Sequence, residues 1–176
     1  MFDNLQTVAT RKRRFIALFI DWICISAYLI LLLGIMQLVY LLVFNETPTF
    51  SSGQTQLIST LTSVIPIIIL FSLMEGSARA STFGKRIKRL KISYPDHPKT
   101  RSIIRNIVKF LPWQLGHMGV IHGMYHNFNW VAMTLLSTSM LLAFLYIMMV
   151  LVRRDYRHVA DLIAGTMVVK NNSLHP

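Results

Sequence analysis

Residues 11–44 read RKRRFIALFIDWICISAYLILLLGIMQLVYLLVF: four basic residues, Arg11 to Arg14, then a run from 15 to 44 in which Asp21 is the single charged side chain. At 1.5 Å per residue a helix of this length exceeds the roughly 30 Å hydrocarbon core of a bilayer, so it spans the membrane and tilts or protrudes. The basic cluster before an apolar stretch mimics a secretory leader. A leader, however, has an apolar core of about 7 to 15 residues followed by a small-residue cleavage site, and the segment here reads as a retained helix.

The rest of the chain agrees with a membrane protein. Of its 176 residues, 53% are hydrophobic and 14% charged, where soluble domains carry roughly 25% charge. One membrane domain over 1–176 is the natural reading, with helices over 15–44, 56–74, 103–121 and 130–152. In the second, Pro66 removes a backbone donor, and neighbours or Ser59, Thr62 and Ser63 can meet the gap. The fourth opens on Trp130 and stops against Arg153 and Arg154, a sharp passage from membrane to water. The third carries Arg105, Lys109, Pro112, Gln114 and His117. It can cross, or lie in the plane with Arg105 and Lys109, one turn apart, snorkelling to phosphates.

Charge placement favours the crossing, with an in-plane or re-entrant third segment left open. Basic residues collect in short cytoplasmic loops, and the eighteen Lys and Arg fall as four before residue 15, ten in the loop 76–109 and four in the tail 153–176. The stretches 45–55 and 122–129 contain none. An all-α architecture of four spans puts every cation on one side, with both termini cytoplasmic. Within the cytoplasmic part, Leu90 to Tyr94 and Thr166 to Lys170 alternate like strands and can pair as a small β ribbon, which needs something to pack on.

The net charge of +11 would suggest nucleic acid in a soluble protein. Beside these apolar segments it points instead to anionic headgroups, with Lys85, Arg86, Lys88, Arg89, Arg105 and Lys109 as the expected contacts. Nucleic acid is not an expected partner. A homo-oligomer or a docked protein is, because four helices enclose little. The single cysteine, Cys24, permits no internal disulfide, and no cofactor is expected.

Asp21 is the sharpest chemical feature. A carboxylate inside a membrane helix costs roughly 2.5–3.5 kcal/mol, so it faces a partner or water. It shares a helical face with Arg14, Ala17, Cys24 and Tyr28, but seven residues place Arg14 and Asp21 about 10 Å apart along the axis, so each needs another partner. Gly84-Lys85 superficially suggests a phosphate loop, yet Arg79 stands where the first glycine belongs and Arg86 replaces the Ser/Thr. His122 and His126 have metal-ligand spacing without a third ligand nearby, so no metal site is assigned. No nucleophile, base and orienting group fall into a defined spacing, and no enzymatic activity is expected.

Three blocks, Arg13-Arg14-Phe15-Ile16-Ala17-Leu18-Phe19-Ile20-Asp21, Thr82-Phe83-Gly84-Lys85-Arg86 and Asp161-Leu162-Ile163-Ala164-Gly165-Thr166-Met167-Val168-Val169, resemble the RDD family of small multi-pass membrane proteins. The resemblance covers nearly the whole chain. It implies that Arg14, Asp21 and Asp161 are the name-giving arginine and two aspartates, that Thr82, Gly84, Lys85 and Arg86 form the central loop motif, and that the protein sits in a bacterial cytoplasmic (inner) membrane. One departure is Ala160, where many members carry histidine; this chain has His158 instead. The family name describes residues, and ion or solute transport is the activity proposed for it. Asp161 should lie at the level of Arg14 and pair with it. A water-accessible cavity reaching Asp21 favours transport, whereas a dry, fully paired triad favours an accessory or scaffold role on the basic face.

Overall fold

The computed structural model describes residues 8–44 and 48–171, so Asn45 to Thr47 of the first loop without Lys or Arg and the end of the tail, 172–176, lie outside the described residues. The first helix, α1 (Arg11–Val39), continues into a π-helical turn, Tyr40–Phe44. Its buried residues are Ala17 and Asp21, while Phe19, Trp22, Ile30, Leu31 and Leu33 are each more than half exposed. Small and charged inside with large apolar outside inverts the pattern of a water-soluble helix, and it fits a lipid environment.

The second rod is built of α2 (Ser52–Ser59), a π-helical turn (Thr60–Val64) and α3 (Ile65–Glu75). A capping box in which Ser51 and Gln54 satisfy each other's backbone N–H starts it four residues earlier than hydropathy alone suggests. Pro66 cannot donate to the Thr62 carbonyl four residues back. Tyr28 of α1 fills that place, its hydroxyl donating to Thr62 O at 2.5 Å, and the Ser63 hydroxyl donates to Ser59 O at 2.5 Å.

The next long helix, α5 (Pro98–Tyr125), contains Pro112. The carbonyl freed there is that of Val108, and it accepts from the Tyr146 hydroxyl at 2.9 Å. Tyr146 lies on α6 (Trp130–Val152). Both proline gaps are thus closed by a tyrosine of a neighbouring helix. The two helices run antiparallel: Gly119 lies on Leu136, Gly116 on Ser139, and Val108 on Tyr146. A Cβ at Gly119 would stand 2.8 Å from Leu136 Cγ, so α6 approaches as closely as it does because the side chain is missing.

Among the described residues, three helical rods are long and apolar enough to cross a membrane: Arg11–Val43, Ser52–Glu75 and Trp130–Val152. The α5 helix matches them in length, but Lys99, Arg101, Arg105, Asn106 and Lys109 lower its apolar character. It extends beyond 103–121 at both ends because Pro98 is favourable in the first turn and polar residues continue the helix to Tyr125.

One end of the bundle carries the short elements α4 (Phe83–Ile87), β1 (Leu90–Ser93), α7 (Val159–Ile163) and β2 (Met167–Lys170). The expected ribbon forms, antiparallel, with Leu90 opposite Lys170 and Ser93 opposite Met167. It is shorter by a residue at each margin, since the Thr166 backbone N–H turns to the Asp161 carbonyl at 2.8 Å and the Tyr94 hydroxyl to the Glu75 carbonyl at 3.1 Å. Two strands alone are marginal. Here Leu90 and Val168 pack with Ala9 and Ala17 of the N-terminal segment, and Val8 bridges to Val169. At the other end, the Tyr125 hydroxyl binds the Phe50 carbonyl at 2.8 Å and Thr55 Oγ1 at 2.7 Å.

Candidate functional site

The ribbon end encloses a chain of buried charges whose centre is Arg105, 2% exposed. Its Nε donates to Asp161 Oδ1 at 2.8 Å and its NH1 to Glu75 Oε2 at 2.6 Å. Glu75, at the last turn of α3, also accepts from Lys85 Nζ at 2.6 Å and Asn106 Nδ2 at 2.9 Å. Asp161, on α7, accepts from Arg14 NH2 at 2.9 Å, and Arg14 donates as well to the Tyr156 carbonyl. The order is Lys85, Glu75, Arg105, Asp161, Arg14, alternating in sign and tying α1, α3, α4, α5 and α7 into one unit. Such a network fixes geometry more than it adds net stability, because removing five charges from water offsets much of the attraction.

Asp21 stands outside that chain. Its Oδ2 accepts from the Thr82 hydroxyl at 2.7 Å and its Oδ1 from the Gly84 backbone N–H at 2.8 Å. Gly84 is required by close approach: a Cβ there would lie 2.1 Å from the Ala17 carbonyl oxygen and 2.9 Å from Asp21 Oδ1. The loop block read from the sequence therefore divides its labour, with Thr82 and Gly84 holding Asp21 and Lys85 holding Glu75. Arg86 is half-buried and donates to the Ser81 carbonyl at 3.3 Å.

Of the sequence triad, the structure brings Arg14 and Asp161 together and gives Asp21 a separate pair of donors. Two of the expected headgroup contacts are corrected. Lys85 and Arg105 do not snorkel; both are buried on Glu75, because an anionic partner within the bundle outbids distant phosphates. Lys109 is half-buried, with its Nζ 4.5 Å from the Phe71 ring centre and 4.9 Å from that of Phe110. Lys88 is half-buried and Arg89 exposed. Glu75 is the functional residue that sequence reading missed. The signal was available, since Ser102, Arg105, Asn106 and Lys109 fall on one face of α5 and such a stripe demands a carboxylate from a neighbour.

His158 caps α7: its Nδ1 accepts from Ala160 N at 3.1 Å, leaving Nε2, 3.5 Å from Asp161, to carry the proton. Burial pushes the imidazole down to about 4. Burial pushes the Asp161 carboxyl up, but His158, Arg105 and Arg14 together outweigh it and hold the group well below the usual carboxylate range. His122 and His126 stack with ring centres 4.1 Å apart. Among the described residues, no three His, Cys, Asp or Glu side chains gather as a metal site.

Beside the charge network lies a cavity of about 530 Å³. Residues of α1, α5 and α6, with Phe71 of α3, line it. Along α1 it runs from Phe15 to Leu29, about 21 Å at 1.5 Å per residue. Apolar side chains line most of its length, while Asp21, Lys109 and His158 gather at the ribbon end. A smaller void of about 80 Å³ links Asp21 with Arg14 and Arg105. On the α3–α5 seam, Phe71 meets Phe110 edge to face at 5.3 Å, and with Ile67 they form an apolar layer between the charge network and an outer polar set. That set comprises Gln114 bonded to Thr60 at 3.1 Å and His117 bonded to Ser59 at 3.1 Å.

Long helices with apolar outer faces, locked at one end by buried ion pairs beside a cavity, define a small multi-pass membrane protein. The RDD family matches residues 8–165, and the chain belongs to that family. No curated protein and no solved structure matches it.

Proposed function

We propose that this protein moves a small solute or ion across the bacterial cytoplasmic (inner) membrane, with the cavity between α1, α5 and α6 as the site it occupies and Asp21 as the titratable group of that site. The observation that carries this reading is the cavity of about 530 Å³ whose lining includes Asp21; that the carboxylate is 3% exposed and bonded to Thr82 and Gly84 is what favours the accessory reading below. An intramembrane acid beside a cavity is the usual mark of a solute or proton path. The paired chain from Lys85 to Arg14 is then a fixed clamp, and the apolar layer of Phe71 and Phe110 separates the inner and outer polar groups.

As part of the same reading the chain makes four spans with both termini cytoplasmic. The pairing of β1 with β2 supports it, since a chain that leaves one membrane face after β1 and returns to it before β2 would cross once in α5 and again in α6. That arrangement also collects the eighteen Lys and Arg on the ribbon side. In the test, Cys24 is replaced by serine and single cysteines are placed at Ser26 and Ser139, which line the cavity. Membrane-impermeant maleimide should label them from one face of sealed vesicles. Protection from both faces would mean a dry cavity and would sink the reading.

The second reading is an accessory protein that docks a partner and holds anionic lipid. Its support is a surface hollow of about 390 Å³ lined by Lys12, Arg13, Lys88 and Arg89 with Ile16 and Ile87. Binding to anionic vesicles through it should weaken as salt rises, since such attraction decays within about 8 Å at physiological ionic strength. Salt-independent binding would contradict it.

A further inference from the structure

Four cations line or adjoin the ribbon end of the large cavity, and three are matched. Arg14 is on Asp161, Lys85 on Glu75, and Arg105 on both. The fourth, Lys109, makes no ion pair or hydrogen bond among the described residues; its Nζ lies over the rings of Phe71 and Phe110, and the carboxylates of Glu75 and Asp21, already engaged by other donors, act on it only through space. Asp21 lines the same cavity but is already engaged by Thr82 and Gly84. An ammonium has three donors and no acceptor, and leaving it unpaired in a membrane helix is costly. Lys109 is therefore a place prepared for an anion from outside the chain.

The remainder of the cavity says what the anion is attached to. From Trp22 to Leu29 on α1 and from Ile147 to Ser139 on α6 the walls are mostly apolar, broken by Ser26 and Ser139. A hydrated inorganic anion would lose its water along such walls without compensation, whereas an acyl chain, already in an apolar medium within the bilayer, exchanges lipid for these walls at little cost. We infer that the cavity takes an anionic single-chain amphiphile, its carboxylate or phosphate head on Lys109 and its chain along α1 and α6. This rests on the transport reading for its site and names the class of solute.

Two of the three tryptophans, Trp22 and Trp113, line the cavity, so chain entry is measurable. The full chain with Trp130→Phe, purified in nonionic detergent, is titrated with a fatty acid brominated at mid-chain, its uncharged methyl ester, and a brominated alkyl phosphate. The two anionic probes should quench emission at least tenfold below the ester concentration. Lys109→Met should abolish that advantage and Lys109→Arg should keep it. Lys88→Gln with Arg89→Gln, on the outer face, should also keep it. Equal quenching by acid and ester in the parent, or an advantage surviving in Lys109→Met, would overturn the inference. So would displacement of the probes by inorganic phosphate at equal concentration, which would assign Lys109 to a free anion. In proteoliposomes, binding at Lys109 without movement of the probe overturns the transport reading alone, and movement unaffected by Lys109→Met overturns this inference alone.

Discussion

Replacing Arg105 by methionine removes the side chain on which the charge network turns while keeping its length and apolar stem. The guanidinium holds Glu75 at 2.6 Å and Asp161 at 2.8 Å, and both carboxylates are fully buried. Each keeps one cation afterwards, Lys85 on Glu75 and Arg14 on Asp161. Neither is left wholly uncompensated, so the loss should sit near that of breaking one buried pair, roughly 3–5 kcal/mol, and not twice that. Arg105→Lys should lose about half as much, because one ammonium cannot bridge two carboxylates as a planar fork does. The assay is reversible unfolding by rising SDS fraction in mixed micelles, followed by tryptophan emission. Combining Arg105→Met with Asp161→Asn should cost less than the sum by about 0.5–3 kcal/mol. Lys88→Met, outside the network, should stay within about 0.5 kcal/mol of the parent. Additive losses for the Arg105 and Asp161 changes would refute the network as a coupled unit.

Three further outcomes follow from single contacts. Gly84→Ala should destabilise by on the order of 3 kcal/mol, since its Cβ would meet the Ala17 carbonyl at 2.1 Å and the charge-assisted bond to Asp21 would be lost; a neutral result in the same unfolding assay would contradict the close approach. Tyr28→Phe should cost about 1 kcal/mol by orphaning the Thr62 carbonyl, and Pro66→Ala, which restores a backbone donor, should cancel that cost. His158 has a folded-state value pushed down to about 4 by burial, against about 6.5 when unfolded. The unfolded chain therefore binds a proton that the folded chain refuses, and stability should fall by up to about 3 kcal/mol as pH drops from 6.5 to 4. His158→Asn, which can still cap α7, should flatten that part of the stability profile; an unchanged slope would rule the residue out as its source.

The apolar rods and the β ribbon were legible because hydropathy and alternation are local properties of the sequence. Arg14 and Asp161 could be set at one membrane level because each adjoins a basic cluster at the membrane boundary, but their contact depends on α7, a single turn that follows no long pattern. Glu75 was not legible as a hub. It ends an apolar helix and carries no spacing signature of its own, and its partners Lys85, Arg105 and Asn106 come from two other elements. Lys85 and Arg105 were assigned to headgroups because a cation near a membrane boundary has two physical solutions, outward to phosphate or inward to a carboxylate. Sequence gives its register and not the distance to an acid 30 residues away. The tyrosines that close the proline gaps were hidden for the same reason, as Pro66 announces an orphan carbonyl without saying that Tyr28 on another helix will fill it.

The most direct test of the central claim, that the cavity ending at Asp21 is a transport path, is flux through the purified chain in proteoliposomes with a trapped pH-sensitive dye, under imposed sodium, potassium and alkyl phosphate gradients. Asp21→Asn is the decisive variant: its amide oxygen can still accept from Gly84, and the Thr82 hydroxyl can turn to accept from its nitrogen, so the fold should survive while the titratable group is gone. The wild type should show a gradient-driven pH change, and Asp21→Asn should abolish it with little change in unfolding midpoint. Traces indistinguishable from empty liposomes under all three gradients, or an undiminished response in Asp21→Asn, would contradict the account.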